Sequence, residues 1–153
     1  MPTDRNGNAV TSSDWSLQAT KTVTFAGGTP DAAGDFDGTG NPVTLFTVSG
    51  SVLMRVLARC TTSLVGASST LEVGTALSTT GLIPLTTGTN IAVNEIWHDA
   101  TPDASVELSS VLTQKIVSQD VIATVRTANI TAGVMEFTCI WFPLTPDSKV
   151  TAA

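Results

Sequence analysis

Apolar and polar residues alternate along two long stretches of the chain. In SVLMRVLARC, residues 51–60, every second side chain is apolar, and leucines and arginines fill the positions between them. VMEFTCIWFPL, residues 134–144, alternates in the same way. Because side chains point to opposite faces along a strand, a period of two predicts two strands with one face in a core. Cys60 and Cys139 both fall on the more apolar faces.

Shorter apolar runs, bounded by Gly, Ser, Asn and Asp, predict seven further strands. Helical spacing is sustained nowhere, so we expect an all-β protein, a β-sandwich of roughly eight to nine strands. Ser118-Gln119-Asp120 is predicted to turn between the last two of these runs and join them as a hairpin. The seven runs lie at 19–25, 42–50, 69–77, 81–87, 90–99, 110–118 and 120–127.

The 153 residues match a single domain, which we expect to span residues 17–153. Residues 1–16 are polar except for Val10 and Trp15, which predicts an extended N-terminal arm. Trp15 has no core of its own there, so we expect it to contact another part of the protein or another chain. TPDSKVTAA, residues 145–153, is expected to form a short tail.

The charge of the chain argues against nucleic acid as a partner. Only 13% of residues are charged, and seven Lys plus Arg against thirteen Asp plus Glu give 7 − 13 = −6. The cations are scattered along the chain, whereas a phosphate-binding surface needs them clustered. The sequence also lacks a run of about 18 apolar residues and the apolar core of a secretory signal, so we expect neither a membrane span nor export.

The two cysteines leave two interpretations open. They are far apart in sequence, and each lies in an apolar run, so their spacing matches neither a zinc site nor a dense disulfide framework. Two buried free thiols are favoured. A single disulfide that joins two strands is the alternative.

NEIWHDATPD, residues 94–103, holds the one histidine of the chain, His98, with carboxylates nearby. A general base needs a partner that orients it, but in a strand Glu95 and Asp99 point to the face opposite His98. We therefore expect no enzymatic activity. Pro102 cannot donate a strand hydrogen bond, so the strand should end near Asp99 and leave Trp97, His98 and Asp99 at a sheet edge where subunits meet. For Trp97, packing in the core remains an equal alternative.

GDFDGTGN, residues 34–41, is the nearest approach to a metal motif. Asp35 and Asp37 stand two apart before a glycine, as in calcium loops. A complete loop requires a third ligand where Thr39 stands and a bidentate Glu where Phe46 stands. We therefore expect a glycine-rich exposed loop at 31–42, and no metal or other cofactor.

The order of TVTFAGG, VTLFTVSGSVLMRVLARCTTSLVGASSTLEVGT, NEIWHDATPDA and MEFTCIWFPLTPDSKVTAA resembles small proteins from the head-gene neighbourhood of tailed bacteriophages. Several of these are thought to be capsid decoration or cement proteins. The resemblance runs from about Lys21 to the end of the chain and implies a jelly-roll-like sandwich. It also implies trimers on the outside of an icosahedral shell, with the major capsid protein as partner and assembly in the host cytoplasm.

A carbohydrate- or receptor-binding module of a phage tail or fibre is the alternative function. Such a module can share the sandwich fold, so the fold alone does not separate the two. Sugar sites offer exposed aromatic platforms with carboxylates beside them, and Trp97 with Glu95 and Asp99 is the group that fits this description.

Overall fold

The computed structural model describes residues 17–28, 36, 39–104 and 111–153. These residues form ten β-strands, and they include no helix long and apolar enough to cross a membrane. The predicted all-β class is confirmed. The strands are β1 Leu17–Thr24, β2 Thr39–Ser49, β3 Val52–Val65, β4 Thr70–Thr75, β5 Ser78–Thr87, β6 Ile96–Trp97, β7 Lys115–Val117, β8 Val121–Arg126, β9 Ala132–Pro143 and β10 Lys149–Ala152.

The strands make two antiparallel sheets of five strands each, which fits a β-sandwich. Sheet one has the order β1-β9-β3, and the short strands β6 and β7 both pair with the far edge of β3. Sheet two has the order β10-β2-β8-β4-β5. The longest ladder joins β3 to β9, from Val52 opposite Pro143 to Val65 opposite Ala132.

The predicted alternation on β3 and β9 is what builds the core. From Val52 to Cys60 every second side chain of β3 is buried, and the same holds from Gly133 to Trp141 on β9. Sheet two contributes its own inward side chains, and the rings of Phe25 and Phe36 pack with centroids 4.6 Å apart. The largest fully buried side chains include Trp97, Phe46, Phe137, Leu45, Met54, Leu71 and Ile83.

The hairpin predicted about Ser118-Gln119-Asp120 is wrong. β7 pairs with β3 in sheet one, whereas β8 pairs with β2 and β4 in sheet two, so this turn carries the chain from one sheet to the other. Asp120 is used in that crossing, because its Oδ1 accepts a hydrogen bond from Val48 N at 2.9 Å. A turn with polar side chains therefore marks a change of direction without revealing which strands pair.

Three other expectations need correction. The C-terminal segment is not a tail, because Lys149–Ala152 forms β10 and pairs with β2. The strand expected over 90–99 is reduced to Ile96–Trp97, after a 3₁₀ turn at Gly88–Asn90. The N-terminal arm and residues 31–35, 37 and 38 lie outside the described residues. The exposed loop expected over 31–42 needs correction elsewhere, because residues 39–42 belong to β2 and Phe36 is buried.

Both cysteines are free and buried, as the favoured interpretation expected. On the β3–β9 ladder Cys139 lies opposite Val56, while Cys60 lies opposite Met135. The thiols are therefore offset by four residues, about 13 Å along the strands, which is too far for a disulfide. Burial raises the pKa of the Cys139 thiol to about 12, and it also raises the pKa of Cys60.

Two lysines bridge the open sides of the sandwich. Lys21 lies opposite Phe137 on the inward face of edge strand β1, and its Nζ donates a hydrogen bond to the carbonyl oxygen of Ala153, the residue after β10. On the other side Lys115 lies opposite Met54, and its Nζ donates to the carbonyl oxygen of Gly81 on β5. Each ammonium group thus links the edge of one sheet to the edge of the other.

Candidate functional site at the rim of the sandwich

The segment around His98 is a closed loop at the edge of sheet one. The backbone groups of Ile96 and Asp103 exchange two hydrogen bonds, at 2.8 and 2.9 Å, so the six residues between them form the loop. Strand β6 places this loop beside β3, where Ile96 lies opposite Arg59. The sheet-edge position predicted for this segment is confirmed, although the strand ends at Trp97, two residues earlier than expected.

Trp97 is a core residue. Its side chain has no exposed surface, and its Nε1 donates to Thr86 Oγ1 at 2.9 Å, which ties β6 to β5 of the other sheet. A side chain already fully buried in one chain cannot bury more against a partner. The core alternative is therefore correct for Trp97, and the interface role is not available to it.

The carboxylates near His98 accept hydrogen bonds from the nearby backbone. Asp99 Oδ1 accepts from Thr101 N at 2.6 Å, the geometry by which Asx residues stabilise turns. Glu95 Oε2 accepts from Ala92 N at 2.7 Å. His98 and Asp99 are half-buried, so each retains some surface for a partner. Their interface role stays a prediction, and Trp15 lies outside the described residues.

Two cationic side chains, Arg55 and Lys115, line one small cavity next to the loop together with His98. The cavity measures about 20 Å³ and lies where β3 has neither β6 nor β7 beside it. This volume holds about one water molecule and no organic substrate. Lys115 is already engaged with the Gly81 carbonyl group, and His98 has interactions of its own. The lining includes Arg55, Val56, Leu57, Leu82, His98, Val111, Leu112, Thr113 and Lys115.

The sequence did not reveal an ion pair on sheet two between a buried carboxylate, Glu72, and an exposed guanidinium, Arg126. Glu72 of β4 is 2% exposed, and its Oε1 lies 3.0 Å from Arg126 Nε on β8. Thr124 is buried beside them in the register, opposite Glu72. In the sequence Glu72 stands between two apolar residues, Leu71 and Val73, as a solvent-facing carboxylate on a strand would. The residues around it therefore do not predict that it is buried. The pair joins two neighbouring strands and is structural in position.

No three His, Cys, Asp or Glu side chains gather as a metal site among the described residues. The two carboxylates of the incomplete calcium motif, Asp35 and Asp37, lie outside that part of the chain. Comparison with protein-family models, with curated proteins and with solved structures finds no match to this chain.

Four of the eight large apolar side chains that are exposed in the described part of the chain lie at one end of the sandwich. Leu17 begins β1, Leu144 follows β9, Ile116 lies on β7 and Leu77 forms the turn between β4 and β5. The register places Leu17, Leu144 and Ile116 at the end of sheet one where β3 begins, and Leu77 of sheet two lines a groove together with Ile116. We call this group of four residues the apolar end. Large exposed apolar groups in one region are typical of protein contact surfaces.

Proposed function

We propose that this chain is a structural protein of a tailed-bacteriophage virion, which binds the outside of the icosahedral capsid and stabilises contacts between capsomers. The observation that supports the proposal is the order of the strands, and the burial of Trp97 favours it over the alternative. Without the two-residue strand β6, sheet one has the order β1-β9-β3-β7, and without β10, sheet two has the order β2-β8-β4-β5. We propose that this is a jelly roll, the two-sheet winding used by viral capsid and lectin domains.

The winding follows from how the chain alternates between the sheets. β1 lies in sheet one, β2 in sheet two, β3 in sheet one, and β4 and β5 in sheet two. β7, β8 and β9 then alternate again. Two Greek keys wound together give this alternation, which supports the jelly roll that the resemblance to decoration proteins implied.

The physical properties of the sandwich suit a protein that reinforces a shell. Strands on both open sides are linked by lysine bridges, and the core runs through both sheets. An oligomer of such a protein binds a symmetric lattice more tightly than one subunit does, since each further contact is intramolecular once the first has formed. A net charge of −6 favours the exterior of the shell over the DNA-filled interior. We propose the major capsid protein as partner and a trimer as the oligomer.

The burial of Trp97 weakens the alternative, a sugar- or receptor-binding module. A jelly roll serves lectins as well as capsids, so the fold by itself supports both. The aromatic platform expected at Trp97 would have to be exposed, but its side chain lies in the core. The flanking carboxylates are already engaged, because Asp99 accepts a hydrogen bond from Thr101 N and Glu95 accepts one from Ala92 N. The capsid protein is therefore the better supported function.

The test is addition of the purified protein to phage capsids that lack it. We expect hundreds of copies, on the order expected for a symmetric shell, and a higher temperature of capsid disruption. We also expect sedimentation of the free protein at three times the chain mass of 15.8 kDa. Ala replacement of His98, which retains surface at the rim, should lower occupancy if the rim meets the shell. Binding restricted to tails, or no binding to capsids, contradicts the proposal.

A further inference from the structure

The small cavity beside the loop that holds His98 brings together two of the seven Lys and Arg residues of this acidic chain. Arg55 of β3 and Lys115 of β7 both line it, and His98 and Thr113 are the other polar residues of the lining. Among the described residues, no Asp or Glu lines the cavity. Two cationic groups therefore share this space without a carboxylate in its lining, although the chain holds thirteen acidic residues.

The guanidinium of Arg55 carries a buried donor that has no acceptor. Its Nε is buried and makes no hydrogen bond among the described residues. Buried N–H groups are nearly always paired, and leaving a charged donor unpaired costs more than leaving a neutral one. An acceptor at this place would therefore stabilise the folded chain.

The position of Arg55 in sheet one explains why no neighbouring strand supplies the acceptor. On one side Arg55 lies opposite Ile140 of β9, an apolar residue. On the other side it lies in the gap between β7, which pairs with β3 as far as Met54, and β6, which pairs with β3 from Ala58 onward. Arg59, four residues along the same face, differs in this respect because Glu136 lies opposite it.

The size and the donors of the cavity identify what it can hold. Its volume of about 20 Å³ accepts one water molecule or one halide ion, which is only slightly larger than water. Water must donate hydrogen bonds as well as accept them, whereas Arg and Lys side chains only donate. One donor of Lys115 Nζ is used by the Gly81 carbonyl group, and the ammonium group has two more. An anion accepts from both side chains and also offsets their charge.

We propose that this cavity binds one monoatomic anion of the size of chloride, held by Arg55 Nε and Lys115 Nζ. The ion links β3 to β7, a strand that pairs with β3 through three residues alone. With a net charge of −6 the protein as a whole repels anions, so binding depends on these two local cations. This inference does not depend on the proposed function.

Thermal unfolding in sodium chloride tests the proposal, with sodium gluconate added to hold the ionic strength constant because gluconate is too large for the cavity. Arg55→Met keeps the aliphatic stem and removes the donor. When chloride exceeds its dissociation constant about tenfold, the Tm of the wild type should rise by about 3 °C or more relative to that of Arg55→Met. Bromide should act in the same way as chloride.

Arg59→Met is the matched control, because it removes the other arginine from the same face of β3 and leaves the cavity intact. It should keep the full response to halide. A wild-type Tm that does not respond to halide would overturn the proposal, and so would an equal response in Arg55→Met and Arg59→Met.

Bromide locates the ion without any variant. In wild-type crystals soaked in sodium bromide, we expect an anomalous difference peak in contact with both Arg55 Nε and Lys115 Nζ. A water molecule or a group of the chain itself in this place, with bromide bound elsewhere or nowhere, would overturn the proposal.

Discussion

The centre and the edge of sheet one are held together in different ways. At the centre, β3 and β9 pair over almost their whole length, and every second side chain is buried between the sheets. At the edge, β6 pairs with β3 through two residues and β7 through three. A strand of two residues contributes almost no ladder, so other contacts must fix it in place.

Single side chains that reach the other sheet provide those contacts. Trp97 of β6 fills the core and donates to Thr86 of β5, and Lys115 of β7 donates to the Gly81 carbonyl group. Ser118, just beyond β7, shares a hydrogen bond of 2.9 Å with Ser51. The difference teaches that a central strand is stabilised by many equivalent residues, whereas each of the short strands β6 and β7 depends on one or two.

The largest effect should follow from Trp97→Ala. The change removes a fully buried indole and leaves Thr86 Oγ1 without its donor, so we expect a loss of about 3–5 kcal/mol in the free energy of unfolding. Urea denaturation measures it. Phe137→Ala, at the centre of β9 and also fully buried, is the matched variant and should cost a similar amount.

A small cost for Trp97→Ala beside a large one for Phe137→Ala would mean that β6 is held by its ladder instead of by its indole. Ile116→Ala sharpens the same comparison on β7. Its side chain is 71% exposed, so the loss of stability should stay within about 0.5 kcal/mol.

The centre of the sheet could be predicted from the sequence because its signal is repeated. Along β3 and β9 the alternation of apolar and polar residues repeats many times, and a strand with one buried face requires this alternation. The all-β class followed from these strands and from the absence of a helical period. The burial of Cys60 and Cys139 followed too, because their neighbours on the strand fix which face they share.

The edge could not be predicted, because its signal lies in contacts between residues distant in sequence. The partner of Trp97 is Thr86, eleven residues away, and nothing near either residue distinguishes core packing from a surface anchor. β10 begins with a lysine after a polar turn, so its local pattern is that of a tail. Likewise, the residues of the Ser118–Asp120 turn do not indicate that the strands on either side of it, β7 and β8, belong to different sheets. Of the predicted rim site, the position could be foreseen, but the roles of Trp97 and Asp99 could not.

A second, intermediate effect concerns the thiol at the centre. The pKa of Cys139 is raised by burial to about 12 in the folded protein, against about 8.5–9 when unfolded. The unfolded chain therefore loses this proton first as the pH rises. The thiol's contribution to stability is full below about pH 8.5 and is lost progressively as the pH rises toward 12. Relative to Cys139→Ala, we expect the wild type to lose roughly 1–2 kcal/mol more between pH 8 and pH 10. Parallel pH curves would contradict the burial of this thiol.

Smaller effects than that of the Cys139 thiol should come from the lysine bridges, whose hydrogen bonds lie at the solvent-exposed edges of the sheets. Lys21→Met and Lys115→Met each keep most of the aliphatic stem and remove the ammonium donor, so each should cost roughly 0.5–1 kcal/mol in urea denaturation. The two lysines lie on opposite open sides of the sandwich and share no partner, so the double variant should lose the sum of the two within about 0.5 kcal/mol. A cost for the double variant well above that sum would mean that the two open sides are coupled through the core. The edges and the centre of the sheets would then unfold as one cooperative unit. They would differ in the length of their ladders but not in how they are stabilised.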